Sequence, residues 1–441
     1  MAQQQLDRAA TGSTETALQR SALPSDVWTR CCLTGDWNGL RPRLDDAGFK
    51  LEAVDISDIM SNPFGGTHQG TTAQTFIKLG LVLDLYRIIG WRGATFYVSG
   101  SEVTGRGIWV DHLDNLLTVT DTEAHRGPQV YKAWFEQQLL QGRLPIRAGI
   151  EEPGDDFARH RYAGLFANAS FAFPALGYDD IQASPTNYPL AHPGLRVRTR
   201  FAVDDEFQLL AAVFRGGILG TANPPQSNGV LTIAQAQYAP AGGTFAGLPG
   251  TFTLGGWYQT GSFADYRFDN QGMLLAAPTS SGIPLLKHGD TAVFGVVDQM
   301  LWIQPGERER GIGVFARVMA APGDRNYLAF YVDGGLAWRG PFADRQDDRV
   351  GLAVGHGRIG SSITGLDQDI RSIYGVLHPV RDAETAIELT YQVQLAPGWT
   401  LQPDFQYVIH PGGGIVDPSD PNGLRAVRDA AVFGIRTTVI F

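Results

Sequence analysis

The sequence predicts an all-β fold, a single antiparallel β-barrel of the outer membrane with about 16 strands, long extracellular loops and short periplasmic turns. Apolar and polar residues alternate with a period of two in many segments, and the connections between these segments alternate in length. The composition agrees, because 54 of the 441 residues are glycine, 43% are hydrophobic and only 18% are charged. Such a chain is too apolar for disorder and too rich in glycine for a helical bundle.

Sixteen segments have the alternation, and most have the length that a tilted strand needs to cross a bilayer. In 385–395, for example, apolar side chains occupy one face and Glu388 with two glutamines occupies the other. The predicted strands are 49–57, 75–86, 92–100, 129–140, 143–151, 194–203, 206–215, 230–239, 250–260, 291–302, 311–320, 327–336, 349–357, 384–395, 399–409 and 430–441.

The predicted connections are mostly long after odd strands and short after even strands, which is typical of outer-membrane barrels with periplasmic turns. Long loops are expected at 58–74, 152–193 and 261–290, whereas 321–326 is an exception to the rule. The loop 152–193 contains several aromatic residues, and that much apolar surface is unfavourable in water. We therefore expect this loop to fold into the barrel and narrow it. Its aromatic residues are Phe157, Phe166, Phe171, Phe173 and Tyr188.

The two ends of the chain have distinct predicted roles. Residues 1–48 are expected to form an N-terminal periplasmic segment with a short helix between Gly39 and Ala47, and 49–441 the barrel domain. The last strand ends on Phe441, as outer-membrane barrels habitually do. It must pair with the first strand, because an open edge in lipid would leave backbone groups unsatisfied.

Polar side chains on the inward faces are the candidate pore lining. The strand that starts at 194 carries Arg196, Arg198 and Arg200 at two-residue steps. Facing lipid, each would cost roughly 2–4 kcal/mol near the midplane, so we expect a ladder in the lumen, stabilised by acids such as Glu136 or Glu388. The remaining candidates are Lys78, Asp84, Lys132, Trp134, Glu136, Arg147, Arg317, Glu388, Asp404 and Arg436.

The segments WTLQPDFQY at 399–407 and LTGDWNGLR at 33–41 are among several motifs that resemble the OprB family of carbohydrate-selective porins, and the resemblance covers about residues 33–441. One departure is Gln235, where the family tends to have Glu, and another is Asn38, where a glycine is expected. The most specific motif is 399–407, WTLQPDFQY. The others are 33–41 with 46–48, 90–93, 166–171, 188–189 with 192–194, 256–258, 310–315 and 388–391.

The resemblance implies a 16-stranded barrel that passes monosaccharides such as glucose. The lumen candidates suit that solute, because arginines and carboxylates bind sugar hydroxyls and an aromatic ring binds the apolar ring face. The alternatives are a general diffusion porin, or a barrel partner in extracellular polysaccharide traffic. For each of these residues, the alternative is that its side chain only hydrates the lumen and does not bind a sugar. The expected surroundings are outer-membrane lipid, and the assembly state, monomer or homo-oligomer, stays open.

Other classes of function are disfavoured. The net charge of −10 argues against nucleic acid as a partner, and no run of 18 apolar residues predicts a membrane-spanning helix. No enzyme, cofactor or metal motif is convincing. The GxGxxG match at 355–360 precedes 361–365, which is not predicted to be helical, so a dinucleotide site is not expected.

Two sets of acidic residues have a structural interpretation beside a functional one. The pairs Glu151–Glu152 and Asp155–Asp156 are expected to be solvated loop charges rather than a hydrolase site. Asp417 and Asp420, with Asn422, have spacing like that of calcium ligands, although a turn rich in proline and glycine explains them equally well.

Overall fold

The computed structural model describes residues 32–124, 126–180, 191–201, 206–215, 229–307 and 309–441. Sixteen antiparallel strands pair in chain order, and the first pairs with the last, so the predicted closed barrel is confirmed. The strands are β1 Phe49–Gly66, β2 Gly70–Asp84, β3 Ala94–Gly105, β4 Gly127–Leu139, β5 Leu144–Glu151, β6 His192–Phe201, β7 Phe207–Arg215, β8 Val230–Tyr238, β9 Gly250–Asp269, β10 Pro284–Ile303, β11 Gly311–Ala320, β12 Leu328–Arg339, β13 Arg349–Ile359, β14 Ala383–Ala396, β15 Trp399–Ile409 and β16 Arg428–Ile440.

The α-helices of the described residues are short. None of them is long and apolar enough to cross a membrane. They are α1 Leu40–Asp46, α2 Leu85–Ile89, α3 Ala169–Ala172, α4 Ala175–Asp180 and α5 Ser361–Tyr374. Short π- or 3₁₀-type turns occupy Trp109–Leu113, Leu140–Gly142, Pro153–Asp155, Ala163–Leu165 and Pro411–Gly413.

Helix α1 lies in the segment for which a short helix was predicted, whereas α5 contradicts the non-helical prediction for 361–365. Tertiary packing explains α5, because Ile363 is buried in the largest apolar cluster. Asp367 also accepts hydrogen bonds from the Arg381 guanidinium at 2.7 and 2.8 Å. These contacts outweigh the weak helix propensity of serine, threonine and glycine.

The predicted inward and outward faces are correct for most strands. On β14, Glu384, Glu388 and Gln392 are buried in the barrel, whereas Leu389 is exposed on the outer surface. A β-bulge in β4 opposite Ser99 and Gly100 is the exception. It turns Tyr131, predicted on the apolar outer face, toward the interior, because a bulge shifts the alternation by one residue.

Two predicted long loops are wrong. Strands β1 and β2 continue to Gly66 and Gly70 and leave only 67–69 as a turn, and β9 and β10 leave only 270–283. The outward residues of the extensions are not consistently apolar, and Ser61 and Thr71 are hydrogen-bonded there at 2.8 Å. The apolar alternation therefore stops where strands leave the lipid, although backbone pairing continues.

The first described residues and the last residues of the chain meet at the end of the barrel that carries α1 and α2, which is periplasmic in a barrel of this kind. The Phe441 N–H donates to Ala53 O at 3.0 Å, and the Leu33 N–H donates to Ile440 O at 3.1 Å. The barrel seam between β16 and β1 is thereby extended by backbone hydrogen bonds on both sides.

Candidate pore and its loops

The segment 152–180 lies inside the barrel, as predicted, and its described aromatic residues Phe157, Phe166, Phe171 and Phe173 are buried. Tyr188, the last of the predicted aromatic residues, lies outside the described residues. Hydrogen bonds join the segment successively to strands from β4 to β15. The segment therefore lines the inner wall over more than half of the circumference, and we call it the long inner loop.

Charged wall residues hold the backbone of the long inner loop. Arg317 donates to Ala158 O at 2.7 Å and to Ser170 O at 2.6 Å, and it pairs with the buried carboxylate of Asp333. His160 of the loop lies 3.0 Å from the same carboxylate. On the far side, Glu388 accepts the N–H groups of Ala167 and Asn168 at 2.7 and 3.0 Å.

Arg317 and Glu388 were predicted to line the pore. Both face inward, but both are buried beneath the loop and anchor it. Glu388 is also wrong as a partner of the arginine ladder, because β14 and β6 are eight strands apart in the barrel. The side-chain alternation cannot show this, since it identifies the face of a strand and not what covers that face.

A second loop, 106–124, also folds inside, which the sequence did not predict. Glu384 accepts the N–H groups of Leu116 and Leu117 at 2.8 and 2.7 Å, and Gln406 donates to Val119 O at 2.7 Å. Its buried residues Ile108, Leu113, Leu117 and Val119 are unevenly spaced. The only signal available was this group of apolar residues in a segment without strand periodicity.

Two further predicted lining residues anchor this second loop or lie beneath it. Arg436 is buried and binds both oxygens of Asp58 at 2.8 Å, and it pairs with Asp121 of the loop at 2.7 Å. Asp404 is buried beside Gln406, which donates to it at 2.8 Å. Both face inward as predicted, but neither is open to water.

The three arginines of the ladder face the lumen, and their exposure to solvent increases from Arg196 to Arg200. Arg196 is buried, 2.7 Å from Glu136, and paired also with Asp156 of the long inner loop. Arg198 lies 2.6 Å from Asp156 with 25% of its side chain exposed. Arg200 is exposed and donates to Gln208 at 3.3 Å. The predicted acidic partner Glu136 is therefore confirmed.

Of the carboxylate pairs that the sequence suggested to be solvated, Glu151 and Glu152 are buried, and Asp155 and Asp156 are half-buried. Asp155 pairs with Lys132, and Glu152 accepts a hydrogen bond from the Tyr131 hydroxyl at 2.5 Å. Burial opposes the charged form of Asp156, but Arg196 and Arg198 outweigh it and hold the pKa of that carboxyl below its usual range. Lys132 is thereby another predicted lining residue that anchors the loop.

The inner face of β4–β6 keeps charged groups in contact with water. The side chains of Glu136 and Arg147 are 14% and 18% exposed and lie 2.9 Å apart. The Arg147 guanidinium lies 3.7 Å from the centroid of the Trp134 ring, which also packs against Tyr97. This wall therefore offers donors, acceptors and an aromatic surface to a solute.

The two candidates on β2 differ in outcome. Lys78 is buried and faces inward. Asp84 ends the strand, where its carboxylate caps α2 by accepting the Tyr86 N–H at 3.0 Å, so its predicted place in the pore lining is wrong. A strand end returns to the surface even where the alternation still points inward.

The acidic turn near the end of the chain forms its own hydrogen bonds. Asp417 accepts the N–H and hydroxyl of Ser419, and Asp420 accepts the N–H groups of Asn422, Leu424 and Arg425. Within the described ranges no group of three or more histidine, cysteine, aspartate or glutamate side chains is arranged to hold a metal.

Comparison with known proteins decides the family. Residues 67–441 match the profile described as carbohydrate-selective porin, OprB family. The chain belongs to the OprB family. It is 26% identical to Porin B of Pseudomonas aeruginosa over 444 residues, covering 95% of this porin and 92% of that one. It is 23% identical to the putative porin QuiX of Acinetobacter baylyi, covering 95% of both chains.

Solved structures support the fold of this OprB-family porin. A high-pH structure of Pseudomonas putida OprB aligns with a TM-score of 0.83 at 23% identity, covering 96% of this chain and 100% of that one. A low-pH structure of the same protein aligns with a TM-score of 0.56 at 19% identity, covering 93% and 98%. The porin is thus an outer-membrane channel of Gram-negative type in a carbohydrate-selective family, which is a family of channels rather than enzymes.

Proposed function

We propose that this porin passes small neutral sugars of the size of glucose along the inner face of β4–β6. The observation that carries the proposal is the mixed, water-accessible lining of Trp134, Glu136, Arg147 and Arg198. Guanidinium groups donate to sugar hydroxyls and carboxylates accept from them. Because both signs are present and paired, the lining favours uncharged polar solutes over simple ions.

Among the ladder residues, Arg198 is the one that we assign to sugar contact. Arg196 is buried between two carboxylates, so its role is to hold Glu136 and the long inner loop. Arg200 lies farther along the same strand than Arg198, near the periplasmic end of β6. The Trp134 ring fixes the Arg147 guanidinium through a cation–π contact and supplies the apolar part of the wall.

A general diffusion porin is the alternative. Two loops packed into one lumen favour the selective channel, since both reduce the cross-section available to larger solutes. Exposed apolar residues on the outer face, such as Leu254, Val293 and Leu352, suit contact with lipid.

The test is the conductance of the purified porin in planar bilayers during a glucose titration. A sugar channel has a small conductance that glucose blocks, whereas a general porin shows no saturable block. Arg198→Ala should raise ion conductance and weaken glucose block by about 1.5–3 kcal/mol, the contribution of a hydrogen bond to a charged group.

The matched control is Arg358→Ala, which removes the same charge from the exposed end of β13. It should leave both readouts unchanged. If Arg198→Ala alters ion selectivity but leaves sugar affinity intact, the ladder acts only as an electrostatic lining and the assignment of Arg198 is wrong.

A further inference from the structure

A second recess opens beneath the long inner loop, at the periplasmic end of β10–β13. It has a cavity volume of about 80 Å³, is open to solvent, and is separate from the β4–β6 wall. Its polar side chains are Arg161 and Tyr162 from the loop, with Glu309, Arg339 and Arg349 from the barrel wall and a periplasmic turn.

The charged side chains of this recess differ in whether they form ion pairs. Glu309 pairs with Arg339 at 2.8 Å, and Asp347 outside the recess lies 3.5 Å from Arg310. The Asp298 carboxylate accepts the backbone N–H groups of Arg161 and Tyr162 at 2.9 and 3.4 Å. Arg161 itself is exposed, and within the described part of the chain no carboxylate lies within 4 Å of its guanidinium. The charge that is available to a ligand is therefore the positive charge of Arg161.

The loop presents this guanidinium on a fixed support. The Tyr162 ring lies against Gly313 of β11, where an added Cβ would come within 2.5 Å of the ring. The guanidinium of Arg161 lies 5.7 Å from the centroid of the Tyr162 ring. With the backbone held by Asp298, a cation and an aromatic surface stand side by side, which reduces the entropy lost when a ligand binds.

We propose that this recess binds a sugar acid, a pyranose that carries a carboxylate. The planar guanidinium of Arg161 matches a carboxylate in a two-point hydrogen bond, and the Tyr162 ring suits the apolar face of the sugar. The proposal rests on the proposed function, since the sugar acid shares the lumen with neutral sugars. It adds a preference among sugars that the mixed wall of β4–β6 does not provide.

The experiment compares D-glucuronate with D-glucose, which differ only at the terminal carbon. Each is added from the periplasmic side to the full-length porin in planar bilayers. Sodium glucuronate should reach half-block at about tenfold lower concentration than glucose, as one charge-assisted contact would give. Arg161→Gln should abolish the difference and leave glucose block unchanged, because the backbone contacts to Asp298 remain. Arg358→Gln is the matched control and should change neither sugar.

The outcomes separate the two proposals. Glucose block without preference for glucuronate overturns the sugar-acid site alone, and so does a preference that survives Arg161→Gln. Sodium acetate that acts as strongly as glucuronate would show that the recess recognises charge only, which also overturns the assignment. Absence of block by either sugar overturns the proposed function as well. A second variant, Gly313→Ala, displaces the Tyr162 ring and should weaken glucuronate block more than glucose block.

Discussion

The inner walls of β4–β6 and of β10–β15 both carry charged side chains at alternate positions, but they use them differently. On β4–β6, Arg147 and Arg198 pair with carboxylates and keep part of their surface in water. On the opposite side, Arg317 and Glu388 are buried and bind the backbone of the long inner loop. An inward charge is therefore a pore residue only where no loop covers it.

The largest expected effect comes from breaking the covered wall. Arg317→Met leaves the buried Asp333 carboxylate without its guanidinium and two loop carbonyls without a donor, which should destabilise the docked loop by about 3–5 kcal/mol. We expect a several-fold increase in single-channel conductance and loss of glucose block. Planar-bilayer recordings measure both effects, and heat-modifiability on gels reports whether the barrel itself survives.

The double variant Arg317→Met with Asp333→Asn removes the unpaired charge and is the control for that interpretation. It should recover part of the loop docking, because the amide no longer carries a buried charge. An unchanged conductance in the single variant would contradict the view that Arg317 holds the loop.

A smaller effect is expected where the two inner loops meet. Asn168 donates to Leu117 O at 3.0 Å and to Gln406 at 2.9 Å, and it accepts the Ser170 N–H at 3.0 Å. Asn168→Ala removes these neutral hydrogen bonds at about 1 kcal/mol each, so the docked state should lose about 2–3 kcal/mol. Recordings should show brief open events above the normal conductance. Asn270→Ala, in the loop 270–283, is the control and should show none.

The alternation of side chains made the barrel predictable. Each strand has one face in lipid and one in the lumen, so the residues at Ile387, Glu388 and Leu389 already indicate strand, face and environment. Closure follows from the same physics, because lipid tolerates no open edge. The dense aromatic residues of 152–193 similarly made the long inner loop predictable.

What could not be predicted depends on contacts between segments distant in sequence. The ion pair of Lys132 with Asp155 depends on the inward fold of the long inner loop, and the binding of Arg436 to Asp58 depends on the closure of the barrel. The second inner loop has no periodicity, and α5 has poor helix formers that packing overrides. The β1–β2 and β9–β10 hairpins extend beyond the lipid, where the alternation of apolar and polar side chains is no longer required.

The smallest effect is expected at the end of the ladder, and it sharpens the comparison within the β4–β6 wall. Arg200 is exposed and its described contact is the neutral Gln208 at 3.3 Å, so removing it frees no buried carboxylate. Exposed polar contacts of this kind contribute about 0–1 kcal/mol. Arg200→Ala should therefore change glucose block by less than about fivefold, below the change at Arg198, where Asp156 fixes the guanidinium. Glucose titrations on the two variants, measured side by side at the same salt concentration, give the ratio directly. If Arg200→Ala weakens block as much as Arg198→Ala does, sugar contact extends to the periplasmic end of β6, and the grading by burial proposed for the three arginines is wrong.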